Sequence, residues 1–591
     1  MGLDNYTGDE KIVLGIDLGT TRSAVSYAHL QAGSVPKVRT VTRWPGQEDV
    51  AGDSKCHTLV RYKSNKPIAF GADALDAAED NTHLAKWFKL HLHPQSMRTN
   101  ANLEVPPLPP GVALKQIYSD FIKYIFDHAC EFFQSSSHDG ETIFNRLKST
   151  FTIVCATPNG WDIVQQSFLR DAFVMAGVLP QGHDRDRLQF VTEAEASVHF
   201  ALEHSDGDRW LTVGTNFSVL DAGGSTVDTT MYRCTELTPK LKLEEVTSSE
   251  CVQAGSVFVD RDAERLLRLK LKGSKFEGDE YINEMLEVFE KKTKRKFDGG
   301  PDPSVIAFGR ARDNDPTYNI SKGRITLTSD EVKATFQNSI FDIVLSCENL
   351  IGRSSKFCDA MLLVGGYSES PHLRATLKEK LGSRGIQIVS IEDGVKKAAA
   401  EGTTIWYIKQ LVRARAVRAT FGTNVTRIFN STDALHQERA AEKFLDIDGS
   451  TRVGPLLSTW VLKGQVIRAD QHTTFNYHRT FKKFPGKGDL AGFEMQVYAC
   501  DADEKPTWLY RHSGSSALMP GIRKVCRITG DLSGLAASLQ EKKGGDGTTY
   551  WQINYNVEIS FGTTALCAEL HWDEKGVNKT GALTLIPDSV F

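Results

Sequence analysis

The residues best suited to chemistry are two short turns that combine a carboxylate, glycines and hydroxyls. The first turn follows an apolar run and contains Asp17, Gly19, Thr20, Thr21 and Arg22. The second follows a similar run and contains Asp221, Gly223, Gly224, Ser225 and Thr226. Glycine has no Cβ, so its backbone can come close to a ligand, and exposed amides and hydroxyls suit phosphate oxygens. The two carboxylates suit a divalent cation that keeps its water.

Each turn alone is also typical of an ordinary hairpin, and only their repetition favours a shared ligand. The apolar and polar residues on either side of each turn predict two strands joined tightly. Two such hairpins about two hundred residues apart indicate two similar halves that face one ligand. A third stretch, Met361 to Pro371, reads MLLVGGYSESP and leads into a predicted helix. Its residues Gly365, Gly366 and Tyr367 would let the backbone approach the same ligand.

In this order the three stretches resemble the two phosphate motifs and the adenosine motif of the actin-like ATPases. They look most like the seventy-kilodalton heat-shock chaperones of the DnaK type, over about residues 10 to 410. The resemblance implies an α/β fold of two lobes, built as duplicated ribonuclease-H-like halves. It also implies ATP or ADP with Mg²⁺ between the lobes, with Asp17 and Asp221 holding the magnesium through water.

Further site residues are implied by the same resemblance. Glu193 matches a glutamate that holds the water shell of the cation, although a helix N-terminus also favours a carboxylate. Water would be positioned by Glu193, Thr226 and Asp228. The phosphates would also be contacted by Gly255 and Ser256. Glu290 would contact the ribose, and Lys294 the adenine ring, where relatives carry arginine; residues four apart share a helix face.

The resemblance implies three segments in the ATPase region, and a change in sequence pattern marks a fourth. We predict lobe I over 10–203, with an inserted subdomain at about 38–112, and lobe II over 204–392, with an inserted subdomain at about 257–328. Residues 393–420 would be a closing helix of lobe I. Residues 421–591 would form a β-rich domain, because apolar and polar residues alternate from Trp551 to Phe561.

The sequence departs from the conventional chaperone pattern at one catalytic position. Conventional members carry a lysine in a Gly-Asp-Ala-Ala-Lys run, where the lysine orients the attacking water. The corresponding run here ends in Leu75, although Lys86 or Lys89 could substitute. We therefore predict ATP binding with very slow hydrolysis, and partial rescue by Leu75→Lys. The acidic linker after Arg418 and a helical lid are also missing, as in the divergent twelve-type subfamily.

Bulk composition excludes several classes of function. The 591 residues include 70 Lys plus Arg and 74 Asp plus Glu, a net charge of −4, which gives no support for a nucleic-acid or membrane partner. No apolar run is long enough to span a bilayer, and no secretory signal is present. Ten cysteines without a C-x-x-C pair indicate reduced thiols. We expect a cytoplasmic monomer. A basic run, Lys291 to Lys296, leaves the nucleus open, although a solvated helix face is the plainer interpretation.

Three functions remain in competition. The first is a chaperone-type ATPase whose lobe movement is relayed to a C-terminal domain that binds a protein client. The second is a scaffold or polymer former that binds nucleotide without turnover. The third is a sugar-kinase-type phosphotransferase, which the β-rich tail argues against. A P-loop NTPase is excluded because no G-x-x-x-x-G-K-[ST] motif occurs.

Overall fold

The computed structural model describes most of the chain in two compact units. The described residues are 3–47, 53–77, 80–94, 105–180, 187–205, 210–238, 240–391, 398–468, 471–504, 507–512, 515–545, 547–561, 566–574, 577–582 and 584–587. Unit 1 comprises Met1–Trp161 and Phe168–Arg413, and unit 2 comprises Asp162–Ser167 and Ala414–Phe591. The division thus falls near residue 413, whereas the sequence placed it at 420. The predicted join at 392 and 393 lies outside the described residues.

The first half of unit 1 is built on one mixed sheet. Its elements are β1 (Lys11–Asp17), β2 (Arg22–Leu30), β3 (Arg39–Thr40), β4 (Lys55–His57), β5 (Leu59–Lys63), β6 (Lys66–Phe70), α1 (Asp73–Asp76), β7 (Thr82–Lys86), α2 (Lys89–Leu92), α3 (Leu114–Ser136), α4 (Gly140–Leu147), β8 (Thr152–Thr157), α5 (Ile163–Met175), β9 (Leu188–Thr192) and α6 (Glu193–His204). The main sheet runs β2-β1-β8-β9, with β1 antiparallel to β2 and parallel to β8. A separate sheet, β6-β5-β7, lies in the predicted insertion.

The second half of unit 1 repeats this arrangement. Its elements are β10 (Asn216–Ala222), β11 (Val227–Glu236), β12 (Lys242–Glu245), β13 (Glu250–Val252), α7 (Ser256–Lys270), α8 (Asp279–Val288, continued by π-helical Phe289–Thr293 and by Lys294–Lys296), β14 (Ser304–Ala307), β15 (Ile320–Ser321), β16 (Arg324–Leu327), α9 (Ser329–Arg353), β17 (Ala360–Val364), α10 (Pro371–Lys380), β18 (Gln387–Ser390) and α11 (Ala398–Lys409). Short 3₁₀ turns occupy Pro316–Tyr318, Gly366–Glu369 and Gly382–Arg384. The sheet runs β11-β10-β17-β18, the same pattern of one antiparallel hairpin and two parallel strands.

Successive side chains of each central strand point to opposite faces of its sheet, and both sets are apolar, so both faces are covered by helices. In β1, Ile12, Leu14 and Ile16 pack with α3 and α5, while Val13 packs on the opposite face with Trp406 of α11. In β10, Leu220 packs with α7 and α9, while Val219 packs with Val198 and Phe200 of α6. Strands buried on both faces are apolar throughout, as in the run that forms β8.

Two helices, α6 and α11, are exchanged between the halves. Helix α6 follows the first sheet in sequence but packs on the second, and α11 follows the second sheet but packs on β1 and β2 of the first. They cross at Gly402, where a Cβ would collide with the carbonyl oxygen of Ala196. Trp406 Nε1 donates to Glu195 Oε1 at 2.6 Å, so the crossing is fixed by a buried polar contact as well as by packing.

Unit 2 is a pair of antiparallel sheets around a shared core. Its elements are β19 (Val412–Ala416), β20 (Thr420–Ile428), α12 (Ala434–Glu438), β21 (Phe444–Leu445), β22 (Thr451–Val461), β23 (Val466–Arg468), β24 (His472–Phe481), α13 (Lys487–Ala491), β25 (Phe493–Cys500), β26 (Ile522–Gly530), β27 (Gln540–Lys543), β28 (Thr549–Phe561), β29 (Leu566–Glu574), β30 (Val577–Ala582) and β31 (Thr584–Pro587). Two further 3₁₀ turns are Ala440–Glu442 and Ser533–Ser538. One sheet runs β21-β22-β20-β25-β26-β31 and the other β24-β28-β29-β30.

The alternation from Trp551 to Phe561 lies on β28, as the sequence predicts a strand there. Ile553, Val557 and Ile559 point into the core with Val497 and Ile528 of the other sheet. The intervening side chains, which include Glu558, therefore lie on the outer face. Among the described helices, none combines the length and apolar character needed to cross a bilayer.

Candidate functional site

The two acidic turns of the repeated hairpins meet in unit 1. A Cβ built on Gly224 would lie 2.7 Å from Thr21 Oγ1, so the turn of the second hairpin faces the turn of the first at close range. The absence of a side chain at Gly224 leaves this gap open. The structure thus brings together two motifs that are about two hundred residues apart in the sequence.

Two further glycine turns close around the second hairpin. Gly255 N donates to Ser225 O at 2.9 Å and Ser256 N donates to Gly223 O at 3.1 Å, which places the start of α7 against this turn. Gly365 has φ +85°, and a Cβ there would collide with Asp221 Oδ1. Glycine is therefore required at 365 both for backbone conformation and for space.

A buried lysine lies among the carboxylates of the site. Lys89 Nζ, at the start of α2, donates to Glu193 Oε1 at 2.6 Å, and Lys89 is 4% exposed. Burial lowers the pKa of Lys89, but the charges of Glu193, Asp17 and Asp228 outweigh burial and raise it overall. Lys89 therefore stays protonated and supplies a positive charge beside three of the predicted site residues.

Leu75 is not in this position. It belongs to the short helix α1, and its side chain is 49% exposed. That Leu75 stands in place of a catalytic lysine stays a prediction, and the ammonium that lies among the carboxylates is that of Lys89. Lys86 is exposed, with its Nζ 5.5 Å from the centre of the Trp87 ring. Of the two lysines named as possible substitutes, Lys89 is the one whose ammonium contacts a predicted site residue, Glu193.

A second lysine contacts the carboxylate of the first hairpin. Lys55 Nζ, on β4, lies 3.1 Å from Asp17 Oδ2, and both side chains are largely buried. Strand β4 pairs with β2, with Lys55 opposite Ala24, and Asp17 of β1 is also opposite Ala24. The lysine and the aspartate therefore flank one residue of the central strand, which explains how they meet.

Asp221 of the second hairpin has different partners. Its Oδ2 accepts a hydrogen bond from the hydroxyl of Ser197 on α6. Burial, together with the smaller effects of the charges of Asp228 and Asp17, raises the pKa of Asp221 to about 6, against the lowering effects of Ser197 and Lys55. The ionised form is thus disfavoured in the protein alone and would be favoured by a bound cation.

Asp228 and Glu193 complete the acidic group. Asp228 Oδ1 accepts from Asn159 N at 3.2 Å, and Asn159 Nδ2 donates to Thr230 Oγ1 at 3.2 Å. Burial raises the pKa of Glu193 above its ordinary value, and Lys89 only partly offsets this. The ion pair therefore keeps Lys89 protonated, whereas the raised pKa of Glu193 lets this carboxyl take up a proton more readily than an exposed glutamate would. A buried carboxyl of this kind is suited to exchange a proton with water.

Three hydroxyls of the two turns are buried, and one of them lacks a hydrogen-bond partner among the described residues. Ser225 is 2% exposed, and its Oγ has no hydrogen-bond partner among the residues that the structure describes. Thr20 and Thr226 are also buried. A buried hydroxyl without a partner costs free energy, so a group that accepts or donates at Ser225 would stabilise the turn.

The predicted base-binding residues are less uniform. Glu290, in the π-helical part of α8, is exposed, and its charge acts on His57 of β4. Lys294 is buried and its Nζ donates to Asp260 Oδ2 at 2.5 Å. Tyr367 is also buried, with its hydroxyl 3.0 Å from Ser339 Oγ in the core. The side chains of Lys294 and Tyr367 are thus committed to protein partners.

Two further residues predicted to contact the nucleotide, Arg22 and Gly366, have different surroundings. Arg22 Nη1 lies 2.9 Å from Asp53 Oδ2. A Cβ at Gly366 would meet nothing within 4 Å, so the space beside this turn is open. Gly19 has the opposite constraint, because a Cβ there would collide with the carbonyl oxygen of Arg22 and open the first turn.

Sequence reasoning missed three residues that hold the site together. They are Lys55, Ser197 and Asn159, which contact Asp17, Asp221 and Asp228 respectively. Each contact joins residues from different strands or helices, so no local pattern marks it. The only available signal was general: a group of buried carboxylates requires cations or donors nearby.

Comparison with known proteins adds the family. No protein-family model matches the chain. Heat shock 70 kDa protein 12B of Homo sapiens is 21% identical, over 88% of this chain and 84% of that protein. Heat shock 70 kDa protein 12A is 20% identical, over 88% of this chain and 85% of the Mus musculus protein, and over 89% and 86% for Homo sapiens. Over most of its length the chain is thus similar to twelve-type members of the seventy-kilodalton heat-shock protein family.

Proposed function

We propose that the protein binds ATP with Mg²⁺ and hydrolyses it to ADP and phosphate. The observation that carries the proposal is the approach of Gly224 to Thr21, which sets two phosphate-type turns face to face. Beside them lie the four carboxylates of Asp17, Glu193, Asp221 and Asp228, and the ammonium of Lys89. The family resemblance supports the same ligand.

The residues present fit a metal–polyphosphate ligand. The amides and hydroxyls of residues 19–21 and 223–226 would hold phosphate oxygens, and Ser225 Oγ, which has no hydrogen-bond partner in the described part of the chain, would gain one. Asp17 and Asp221 would hold Mg²⁺ through its waters. When bound, Mg²⁺ supplies positive charge that offsets the negative charge of the phosphates.

Four residues of the chain would act on the reacting water. Glu193 would take up a proton, because burial raises its pKa, and Asp228 and Thr226 would orient the water by hydrogen bonds. Lys89 would offset charge on the terminal phosphate. With Lys89 in this role, turnover would not depend on a lysine at position 75.

The base would lie between the turn at Gly365 and Gly366 and the π-helical part of α8. Glu290 is exposed and free to contact a ribose from that side. The Nζ atom of Lys294 lies 2.5 Å from Asp260 Oδ2, so Lys294 would contribute to the base site as part of this ion pair. This differs from the stacked arginine that the resemblance implies for relatives.

The proposal extends to motion and to a partner. The predicted lobes, 10–203 and 204–392, share the crossing of α6 and α11, and nucleotide would favour closure of one lobe on the other. The predicted domain 421–591 would receive this movement and bind a protein client. The second candidate is a scaffold that binds nucleotide without turnover.

Titration calorimetry with Mg-ATP tests the proposal. The wild-type protein should bind one nucleotide per chain, and Gly224→Val should bind none, because its side chain fills the gap to Thr21. Gly352→Val is the matched control, since a Cβ at 352, on α9, meets nothing within 4 Å. Folded wild-type protein that does not bind Mg-ATP would contradict the proposal.

A product assay separates the three candidate functions. Release of ADP from Mg-ATP without a second substrate supports the ATPase. Binding without ADP supports the scaffold. Formation of ADP only after a sugar is added supports the phosphotransferase.

A further inference from the structure

A second group of metal-binding side chains lies far from the acidic turns in sequence, on the outer face of one sheet in unit 2. On β29, Leu570 and Trp572 point into the core, so Glu569 and His571 lie together on the other face. On β28, Glu558 is directly opposite Glu569 in the register. Two residues two positions apart on one strand and a third across the ladder thus share one patch.

The distances within this cluster match those between ligands of one ion. His571 Nε2 lies 3.5 Å from Glu569 Oε2 and 3.8 Å from Glu558 Oε2. All three residues offer a ligand atom within 4.8 Å of the others. Tetrahedral bonds of 2.0–2.2 Å would place neighbouring ligand atoms about 3.3–3.6 Å apart, so only small side-chain movements are required.

The donor nitrogen of the histidine lies near two carboxylates but forms no hydrogen bond with any described residue. His571 Nε2 is shielded from solvent and makes no hydrogen bond to any residue that the structure describes, although the side chain is 30% exposed. A shielded ring nitrogen without a hydrogen bond is unfavourable unless it binds something. This nitrogen faces two carboxylates.

The two glutamates also require a positive charge. Like charges directly opposite each other on an antiparallel pair are destabilising. The ion pairs recorded for Glu558 and Glu569 are to imidazoles, of His472 and His571. Each imidazole carries at most one positive charge, whereas a divalent ion would balance both carboxylates.

A fourth residue orients one of the ligands. His472, on β24, places Nδ1 3.0 Å from Glu558 Oε1. The other oxygen of the same carboxylate, Oε2, faces His571. A histidine that holds one carboxylate oxygen while the other faces an ion is a common outer support of metal sites.

We propose that Glu558, Glu569 and His571 bind a divalent transition ion of the Zn²⁺ class, with His472 as a positioning residue. A mixed nitrogen and oxygen donor set suits Zn²⁺, whereas Mg²⁺ and Ca²⁺ prefer oxygen alone. Three protein ligands leave a coordination position for water or a ligand from solution. Glu569 is 64% exposed, so that position is accessible.

The test uses untagged full-length protein that has been treated with a chelator and then titrated with ZnSO₄ by calorimetry. Wild type should bind one Zn²⁺ at this site, which His571→Ala removes. Glu569→Gln, at an exposed position where folding is not at risk, should weaken binding at least tenfold. His472→Ala should weaken it by about ten- to a hundredfold.

His478→Ala is the matched control. It removes an exposed histidine from the same sheet, at the position opposite Asn554, and should leave the affinity unchanged. Co²⁺ added in place of Zn²⁺ should give visible absorption bands of a low-coordinate site in wild type and not in His571→Ala. Equal Zn²⁺ affinity in wild type, His571→Ala and Glu569→Gln would overturn the proposal. So would an equal loss in His478→Ala.

Discussion

The hairpins β1–β2 and β10–β11 have the same fold but distribute charge differently. In the first, Asp17 is opposite Ala24 and its carboxylate contacts Lys55. In the second, Asp221 is opposite Asp228, another carboxylate, and its bound donor is the hydroxyl of Ser197. The backbone of the repeat has been kept while the electrostatics of its two copies have diverged.

This difference gives the hairpins different tasks. The first carries its own cation, so its carboxylate is compensated within the protein. The second places two carboxylates side by side in a buried position, which disfavours ionisation of Asp221 and creates a demand for an external cation. A duplicated fold can therefore build one asymmetric site from two similar halves.

The largest expected effect is on turnover, at the residue that serves both hairpins. Lys89 acts on Asp17 of the first and Asp228 of the second. Lys89→Ala should lower the single-turnover rate of ATP hydrolysis by about 10²–10³, because one electrostatic contact in such a site contributes about 3–4 kcal/mol.

Leu75→Lys is the control for this effect. Its side chain is exposed on α1, so the rate should stay within about twofold of wild type, a difference of about 0.4 kcal/mol. Strong acceleration by Leu75→Lys would mean that Leu75 lies nearer the reacting atoms than the structure indicates.

The next effect concerns stability and separates the two aspartates. The pKa of Asp221 is raised from 3.8 to about 6, so the folded protein holds this proton more tightly than the unfolded chain does. Stability from this group is full below pH 3.8 and is lost as pH rises to about 6, by roughly 2–3 kcal/mol.

Asp221→Asn should remove this loss. In urea titrations without nucleotide or metal, the variant should be more stable than wild type at pH 7, and the gain should shrink at pH 4. An asparagine can still accept the bond from Ser197. A variant that is less stable at pH 7 would show that ionised Asp221 is not disfavoured.

The smallest effect should have the opposite sign in the first hairpin. Asp17→Asn removes the partner of a largely buried ammonium, so the protein should lose about 1–2 kcal/mol of unfolding free energy. Lys55→Met removes the unpaired charge, and the double variant should recover part of the loss. A double-mutant cycle by urea denaturation at pH 7 measures the coupling. A coupling near zero would remove the distinction between the hairpins.

Much of the fold was accessible from the sequence because its signals are local. The turns after Asp17 and Asp221, the Gly365 turn and the alternation in β28 are each encoded within about ten residues. The charge network was not. Lys89 and Glu193 are 104 positions apart, and Lys55 and Asp17 are 38 apart. Such contacts depend on the placement of whole elements, so a short sequence run such as the one that ends in Leu75 cannot reveal them.

The exchange of α6 and α11 has a consequence for synthesis of the chain. One face of the first sheet is covered by α11, whose Ala400 carbonyl accepts from Ser26 and whose Trp406 packs on Val13. About 380 residues separate this helix from β1, and a ribosome adding roughly 5–20 residues per second needs about 20–80 s to make them. During that time the first sheet has an uncovered apolar face, so a nascent chain stalled before residue 398 should itself require a chaperone.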